Sequence, residues 1–347
     1  MRLRDLIFGT VAAVLLAGYA VLGGRLAPFL VPGAAATPAP ARPLTAVPAP
    51  MVNGTIAFIL RGDVFVLRNG HYTELTNEGR STQPALSADG RTLYFSRVEQ
   101  IDGLRRTDGA VVNAQLGFSN IVRKPSAGGA EEILLKGLVV QAPNRFHVVK
   151  WFLSPAVSPD GTRIAAIEGD DDATADLIVY DTTTKRPPTV LSTGGEWADP
   201  SWSPDGTTIV VTSYDRGQPQ LLLKAADTRP SVPVMGIPAG EPYRASYSPD
   251  GKWLVYTLRH DDGRTNDVHA VEISTGKDVA LTSDGVSWNG VFSPDGRQIA
   301  YLHAEGFTID LWVRDVGDAL SGRSPGQPFK VTHGEGVDGA SRPAWGR

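Results

Sequence analysis

WSPDGTTIVV at 202–211, YSPDGKWLVY at 247–256 and FSPDGRQIAY at 292–301 are one phrase written three times, 45 residues apart. VSPDGTRIAAI at 157–167 lies a further 45 residues upstream, and LSADGRTLYF at 86–95 another 71, which is one repeat carrying an insertion of about 26 residues. Each phrase reads as a hairpin: an apolar strand end, a Ser-Pro-Asp-Gly turn, then an alternating strand rich in Ile, Val and Tyr. Proline pre-sets φ, glycine takes a positive φ, and Asp or Ser bonds the turn backbone. Asp89, Asp160, Asp205, Asp250 and Asp295 are therefore read as turn formers and not as catalytic carboxylates.

Outward from the hairpins, a third strand opens on a short polar residue six times: Asp63 in DVFVLR, Asn120 in NIVRKP, Asp176 in DLIVYD, Gln220 in QLLLKA, Asp267 in DVHAVE and Asp310 in DLWVRD. A fourth strand closes each unit, as in TELT at 73–76, PTVLS at 188–192 and DVALT at 278–282. Four strands per unit in six units predict an all-β, six-bladed β-propeller over 51–347. IAFIL at 56–60 matches a second strand and has no first strand before it, whereas Arg-Pro-Ala-Trp at 342–345 matches a first strand. Pairing the two would close the ring and remove both open edges.

The Ser-Pro-Asp-Gly hairpin, the Asp-led third strand and a ring closed by the C-terminal strand resemble the TolB-like β-propellers throughout 51–347. The resemblance implies the fold. For function it implies a periplasmic binding protein, or a module like the accessory domain of prolyl-oligopeptidase-type peptidases. Unlike TolB, this chain reads as having no small α/β domain ahead of the propeller and a membrane anchor in that place.

That anchor is expected in residues 1–26, where 19 uncharged residues lie between Asp5 and Arg25 and would span roughly 28 Å as a helix, about one hydrocarbon core. Arg2 and Arg4 ahead of the run favour a cytoplasmic N-terminus. A cleaved signal peptide with Ala34-Ala35-Ala36 as its small-residue site is the alternative. From 27 to 50, 15 of 24 residues are Pro or Ala, so this stretch is expected to act as a spacer with no core of its own. Zero cysteines exclude disulfides, thiolate metal sites and a lipoprotein anchor. Four of the 33 basic residues and one of the 37 acidic ones fall in 1–50, so 51–347 carries 29 positive against 36 negative side chains, a balance that disfavours nucleic acid.

In a propeller the first strand of each blade lines the channel. Aligning the repeats puts Gln83, Ser154, Asp199, Arg244, Asn289 and Arg342 at the channel mouth, one per blade. All six are polar, as an axial ligand site requires, although a channel filled with water would also suit them. Trp151, Trp197, Tyr243 and Trp288 fall in the loops entering the first strands, where aromatics can anchor a partner at low entropy cost or pack between blades. Trp202, Tyr247, Phe292 and Trp345, further along, read as core. Residues 98–117 lengthen the second-to-third connection of blade 2, and 137–153, with Arg145, His147 and Lys150, lengthen the passage to blade 3. Loops on a rigid scaffold commonly carry binding, so a partner surface is expected over blades 2 and 3, including Arg145 and Trp151.

Chemistry is poorly signalled. Asp170-Asp171-Asp172 lacks the ligand spacing of a calcium loop, and six histidines show no HxxxH pairing. No G-x-S-x-G elbow occurs, and Arg61-Gly62-Asp63 falls where every repeat has a turn. Some six-bladed propellers hold a channel metal and hydrolyse lactones or phosphoesters; Asp199 and Asn289 could supply ligands, but Arg244 and Arg342 beside a divalent ion would be unfavourable. The expectation is therefore a bacterial, single-pass cytoplasmic-membrane protein with a monomeric extracytoplasmic propeller. It binds a protein or peptide in a cell-envelope assembly, without catalytic residues, metal or cofactor. A metal-dependent, lactonase-like hydrolase and a cell-wall glycan-binding module are the alternatives.

Overall fold

The computed structural model describes residues 52–107, 110–142, 145–170, 175–192, 195–215, 217–227 and 229–347. The expected anchor, 1–26, and spacer, 27–50, lie outside them, as do Asp171 and Asp172 of the acidic run. Among the described residues no helix is long and apolar enough to cross a membrane.

Six antiparallel sheets follow one another along the chain. Blade 1 holds β1 (Thr55–Leu60), β2 (Asp63–Arg68) and β3 (His71–Glu74). Blade 2 holds β4 (Ser81–Leu86), β5 (Thr92–Thr107), β6 (Ala110–Pro125) and β7 (Glu132–Leu135). Blade 3 has five strands, β8 (Leu138–Ala142), β9 (Arg145–Val157), β10 (Arg163–Asp170), β11 (Ala175–Asp181) and β12 (Thr189–Ser192). Blade 4 is β13 (Trp197–Trp202), β14 (Thr208–Ser213), β15 (Gln220–Ala225) and β16 (Val232–Pro233). Blade 5 is β17 (Glu241–Tyr247), β18 (Trp253–Arg259), β19 (Asn266–Glu272) and β20 (Asp278–Ala280). Blade 6 is β21 (Ser287–Phe292), β22 (Gln298–Glu305), β23 (Thr308–Asp315) and β24 (Phe329–Lys330). The last strand, β25 (Ala344–Gly346), returns to pair with β1, Trp345 opposite Ile56, and closes the ring as the repeat offset required.

Alternation along the strands explains the core. In β1 every residue is buried: Ile56, Phe58 and Leu60 pack on Leu302 and Leu311 of blade 6, whereas Ala57 and Ile59 pack on Leu93 and Phe95 of blade 2. Six such apolar clusters, one at each blade junction, hold the ring together. Burying both faces of a sheet turns the polar alternation of a two-layer sheet into nearly continuous apolar runs.

The turns are closed hydrogen-bond units. Each turn serine, from Ser87 to Ser293, accepts the N–H five residues on at 2.9–3.0 Å. It donates to the aspartate two residues on, which accepts a further N–H at 3.0–3.1 Å. The glycines sit at φ 67–74°, where a Cβ would be strained. Third-strand aspartates have a comparable duty. Asp310 accepts Thr332 Oγ1 at 2.8 Å and the Gly334 N–H at 2.6 Å, and Asp63 and Asp267 repeat the pattern with Thr76 and Thr282. The carboxylate of the Arg-Gly-Asp tripeptide is thus committed inside its own blade.

Two sequence expectations are corrected. Residues 98–117 are no loop, because β5 and β6 stay in register from Thr92↔Pro125 to Thr107↔Ala110, and the third strand of blade 2 starts at Ala110 and not at Asn120. Nor is 137–153 an irregular connection: β8 pairs along the first half of β9. The reason is that pairing along both arms satisfies the backbone N–H and C=O groups within the chain.

Candidate functional site

Five first strands break register at equivalent places, between Thr82 and Ala85, Leu153 and Ala156, Ala198 and Ser201, Tyr243 and Ser246, and Trp288 and Val291. Inside each break lies a ring residue in the left-handed region: Gln83, Ser154, Asp199, Arg244 and Asn289 have φ of 52–58°. Side chains other than glycine rarely adopt this conformation, at roughly 1–3 kcal/mol each. Several of these backbone N–H groups are captured from the preceding blade: Ser154 by Gln83 Oε1 at 2.7 Å, Arg244 by Thr212 Oγ1 at 3.1 Å, and Asn289 by Thr257 Oγ1 at 2.9 Å. The ring therefore rivets blade to blade.

The side chains continue this. Arg244 donates from Nη1 to Asn289 Oδ1 at 2.9 Å, and its Nε lies 3.6 Å from Asp199 Oδ2. Asn289 donates on to the Gly339 carbonyl at 3.3 Å. Asp199, Arg244 and Asn289 are 8, 5 and 0% exposed, so blades 4 to 6 share one buried polar chain. Arg342, the sixth ring position, lies outside the left-handed set and donates to the Ala245 carbonyl at 2.6 Å. Within the ring, Asp199, Arg244 and Asn289 are joined side chain to side chain, Gln83 holds the Ser154 N–H, and Arg342 binds the Ala245 carbonyl.

The aromatics expected at the rim are more enclosed than that role requires. Trp197 and Tyr243 are buried; Trp197 lies in the cluster between blades 3 and 4, and Tyr243 donates to Asn266 Oδ1 at 2.9 Å. Burial pushes the Tyr243 phenol up to about 12. Trp151 and Trp288 are half-buried, the latter donating from Nε1 to the Gly339 carbonyl at 2.9 Å. The Arg145 side chain lies outside the described residues, although its backbone opens β9. The aromatics pack inward because a first-strand neighbour that points sideways meets the adjacent blade before it meets solvent.

Sequence reasoning missed a cavity of about 410 Å³ at the other end of the channel, on the face of the Ser-Pro-Asp-Gly turns. Its wall is built from the positions two and three residues beyond the ring, including Ser201, Ser246, Trp202, Tyr247 and Trp345. The signal was present: the position two beyond each ring residue is Ala85, Ala156, Ser201, Ser246, Val291 or Ala344, small enough in five of six blades to leave the axis open. Trp202 and Phe292 are buried as expected for core, while Tyr247 and Trp345 are only half-buried, on this cavity.

Among the described residues no group of three His, Cys, Asp or Glu side chains is placed to hold a metal ion. Three histidines of blades 5 and 6 are bound to a neighbouring side chain: His260 to Asp267 at 2.9 Å, His269 to Asp278 at 2.8 Å, and His303 to Ser287 at 2.9 Å.

No curated protein matches the sequence. Among solved structures, TolB of Acinetobacter baumannii is similar at 19% identity with a TM-score of 0.62, over 84% of this chain and 66% of that one. A protein assigned as TolB from Agrobacterium tumefaciens follows at 16% and 0.57, over 83% and 92%. A chain of a nidogen/laminin complex gives 12% and 0.57, over 84% and 98%. At such identities the likeness is one of fold. The sequence match is more specific, since residues 135–324 fit the family described as TolB beta propeller domain; that span is more than half of the chain, which belongs to the TolB β-propeller family.

Proposed function

We propose that the chain is an extracytoplasmic binding propeller that takes a protein or peptide partner in the cell envelope, held at the membrane by residues 1–26 through the 27–50 spacer. One observation carries the reading: the two blades with insertions carry them as antiparallel paired strands at the ring end of the sheets. β5 and β6 have 16 residues each against eight in β22, roughly 26 Å of additional reach at about 3.3 Å per residue. A partner meeting this face would touch the hairpins first, then the half-exposed Trp151 and Trp288, with the polar ring beneath.

The test is capture from detergent-solubilised envelope by soluble 51–347, compared with a variant in which 102–115 are replaced by Asn-Gly, read by mass spectrometry. A protein retained by the intact hairpin and lost on shortening supports the reading. Equal capture by both overturns the assignment to blades 2 and 3. No capture, with bound metal and turnover of lactones, would favour the hydrolase.

A further inference from the structure

We propose that Asn53 is a site of spontaneous covalent modification: its side-chain amide is lost through a succinimide formed with the Gly54 nitrogen, and the isoaspartate that results loosens the seam of the ring. The inference does not depend on the partner assignment above.

The chemistry follows from the dipeptide. Once the Gly54 backbone N–H has given its proton to solvent base, the nitrogen attacks Asn53 Cγ. The N–Cγ bond forms, the Cγ–Nδ2 bond breaks, and the departing nitrogen takes a proton from water and leaves as ammonia. Water then opens the five-membered succinimide. Opening at Cγ gives aspartate. Opening at the α-carbonyl gives isoaspartate, in which the main chain runs through Cβ and Cγ and the former carbonyl has become a free carboxylate. Glycine favours the attack because no Cβ hinders its nitrogen.

Asn-Gly occurs three times, at 53–54, 69–70 and 289–290, and the fold treats the three differently. Asn289 is buried; its Oδ1 accepts Arg244 Nη1 at 2.9 Å and its Nδ2 donates to the Gly339 carbonyl at 3.3 Å. Asn69 is exposed, but it and Gly70 stand at φ 51° and 77° between the paired residues Arg68 and His71. That is a type I′ hairpin turn, and the nitrogen reaches Cγ only if the turn is undone. Asn53 is exposed and precedes β1, and its side-chain amide has no hydrogen bond among the described residues. Gly54 lies just outside the ladders that β1 makes with β2 and β25, both of which begin at Thr55. Neither group in the reaction is therefore held away from the other.

Position gives the reaction its consequence. The Asn53 carbonyl accepts Trp345 Nε1 at 2.7 Å, and Trp345 belongs to β25, the strand that closes the ring. Val52, immediately before, is packed between blades 6 and 1. A Cβ on Gly54 would stand 2.3 Å from the Gly346 carbonyl oxygen, so the two backbones are already in contact. Isoaspartate puts one more carbon into the main chain at this point and moves the carbonyl that holds Trp345 out of it. Close packing on both sides leaves that carbon no room unless β25 shifts.

The full chain in detergent micelles is incubated in mildly alkaline buffer, folded or in urea. Each Asn-Gly peptide is followed by mass spectrometry, with isoaspartate methyltransferase marking the isoaspartate. In the folded chain Asn53 should convert at least about tenfold faster than Asn69 or Asn289, whereas in urea the three should agree within about threefold. Conversion of Asn53 as slow as that of Asn289 in the folded chain, or Asn69 overtaking it, would overturn the assignment. The modified fraction carries an added negative charge and is separated by anion exchange. Hydrogen exchange in its isoaspartate form should be at least about tenfold faster at 55–57 and 344–346 than in the unmodified chain. Asn53→Asp supplies the charge without the added carbon, and Asn53→Ser removes the amide and keeps the carbonyl; both should exchange as the fresh parent does, and Asn53→Ser should stay so on ageing. Unchanged exchange in the isoaspartate form, or equal loosening in either variant, would overturn the role of residue 53 in the seam.

Discussion

Blades 4 to 6 and blades 2 and 3 are built on the same hairpin and put their polar residues to opposite uses. In blades 4 to 6 the repeat keeps its 45-residue spacing, and Asp199, Arg244 and Asn289 are sealed into one buried chain that joins three blades. In blades 2 and 3 the extra residues extend as paired strands, and ion pairs such as Lys150 with Glu168 are partly solvated. The same side-chain chemistry is therefore structural where it is enclosed and available where it projects.

The contrast has measurable consequences. Arg244→Leu should have the largest effect, destabilising by about 3–5 kcal/mol in urea denaturation because it removes the cation of a buried pair. Lys150→Ala, in the other half, should cost less than about 1 kcal/mol, as a half-exposed pair is screened by water; similar losses for the two would erase the distinction. Thr257→Val leaves the Asn289 N–H without its acceptor and should cost about 1–3 kcal/mol by the same assay. Replacing 102–115 by Asn-Gly should move the midpoint by less than about 1 kcal/mol, since projecting tips tolerate deletion; a loss as large as that of Arg244→Leu would make the hairpin part of the core.

The smallest effect concerns pH. The Asp160 carboxyl is held down to about 2 by the Ser158 hydroxyl first and the Thr162 N–H second, and Asp89, Asp205, Asp250 and Asp295 are lowered in the same direction. A depressed folded-state value gives stability that is present above the ordinary carboxylate range and lost as pH falls through about 2. Thermal midpoints measured from pH 4.5 to 2 should therefore decline, and Asp160→Ala should decline slightly less steeply.

Six units, turn geometry and ring closure are legible in the repeats alone, because a tight turn and a doubly buried strand leave few residue types to choose from. The left-handed ring is not. Gln, Ser, Asp, Arg and Asn occupy it, and no glycine marks the positive φ, since hydrogen bonds from the preceding blade hold the conformation instead. The β5–β6 hairpin is hidden because its strands place polar residues on both faces, although Asp108-Gly109 between Thr107 and Ala110 is a strong two-residue hairpin signal. The enclosed aromatics need the third dimension: spacing along one blade does not reveal which neighbour will cover Trp197.

Closure by β25 also sets the order of assembly. Most strand pairs form between neighbours in the chain, but Ala57 must find Ala344 from the far end of the ring. Closing that loop carries the highest entropic cost of any strand pairing among the described residues, and its reward is three β1–β25 residue pairs, the Leu60↔Val337 bridge, the Asp338 N–H to Ile59 carbonyl and Trp345 Nε1 to Asn53 carbonyl bonds, and the cluster around Phe58 and Leu302. Blades can therefore fold as local units while the ring is still open, and the final locking step should dominate the refolding rate. Substitutions at Trp345 would then slow refolding far more than equivalent changes at Trp202.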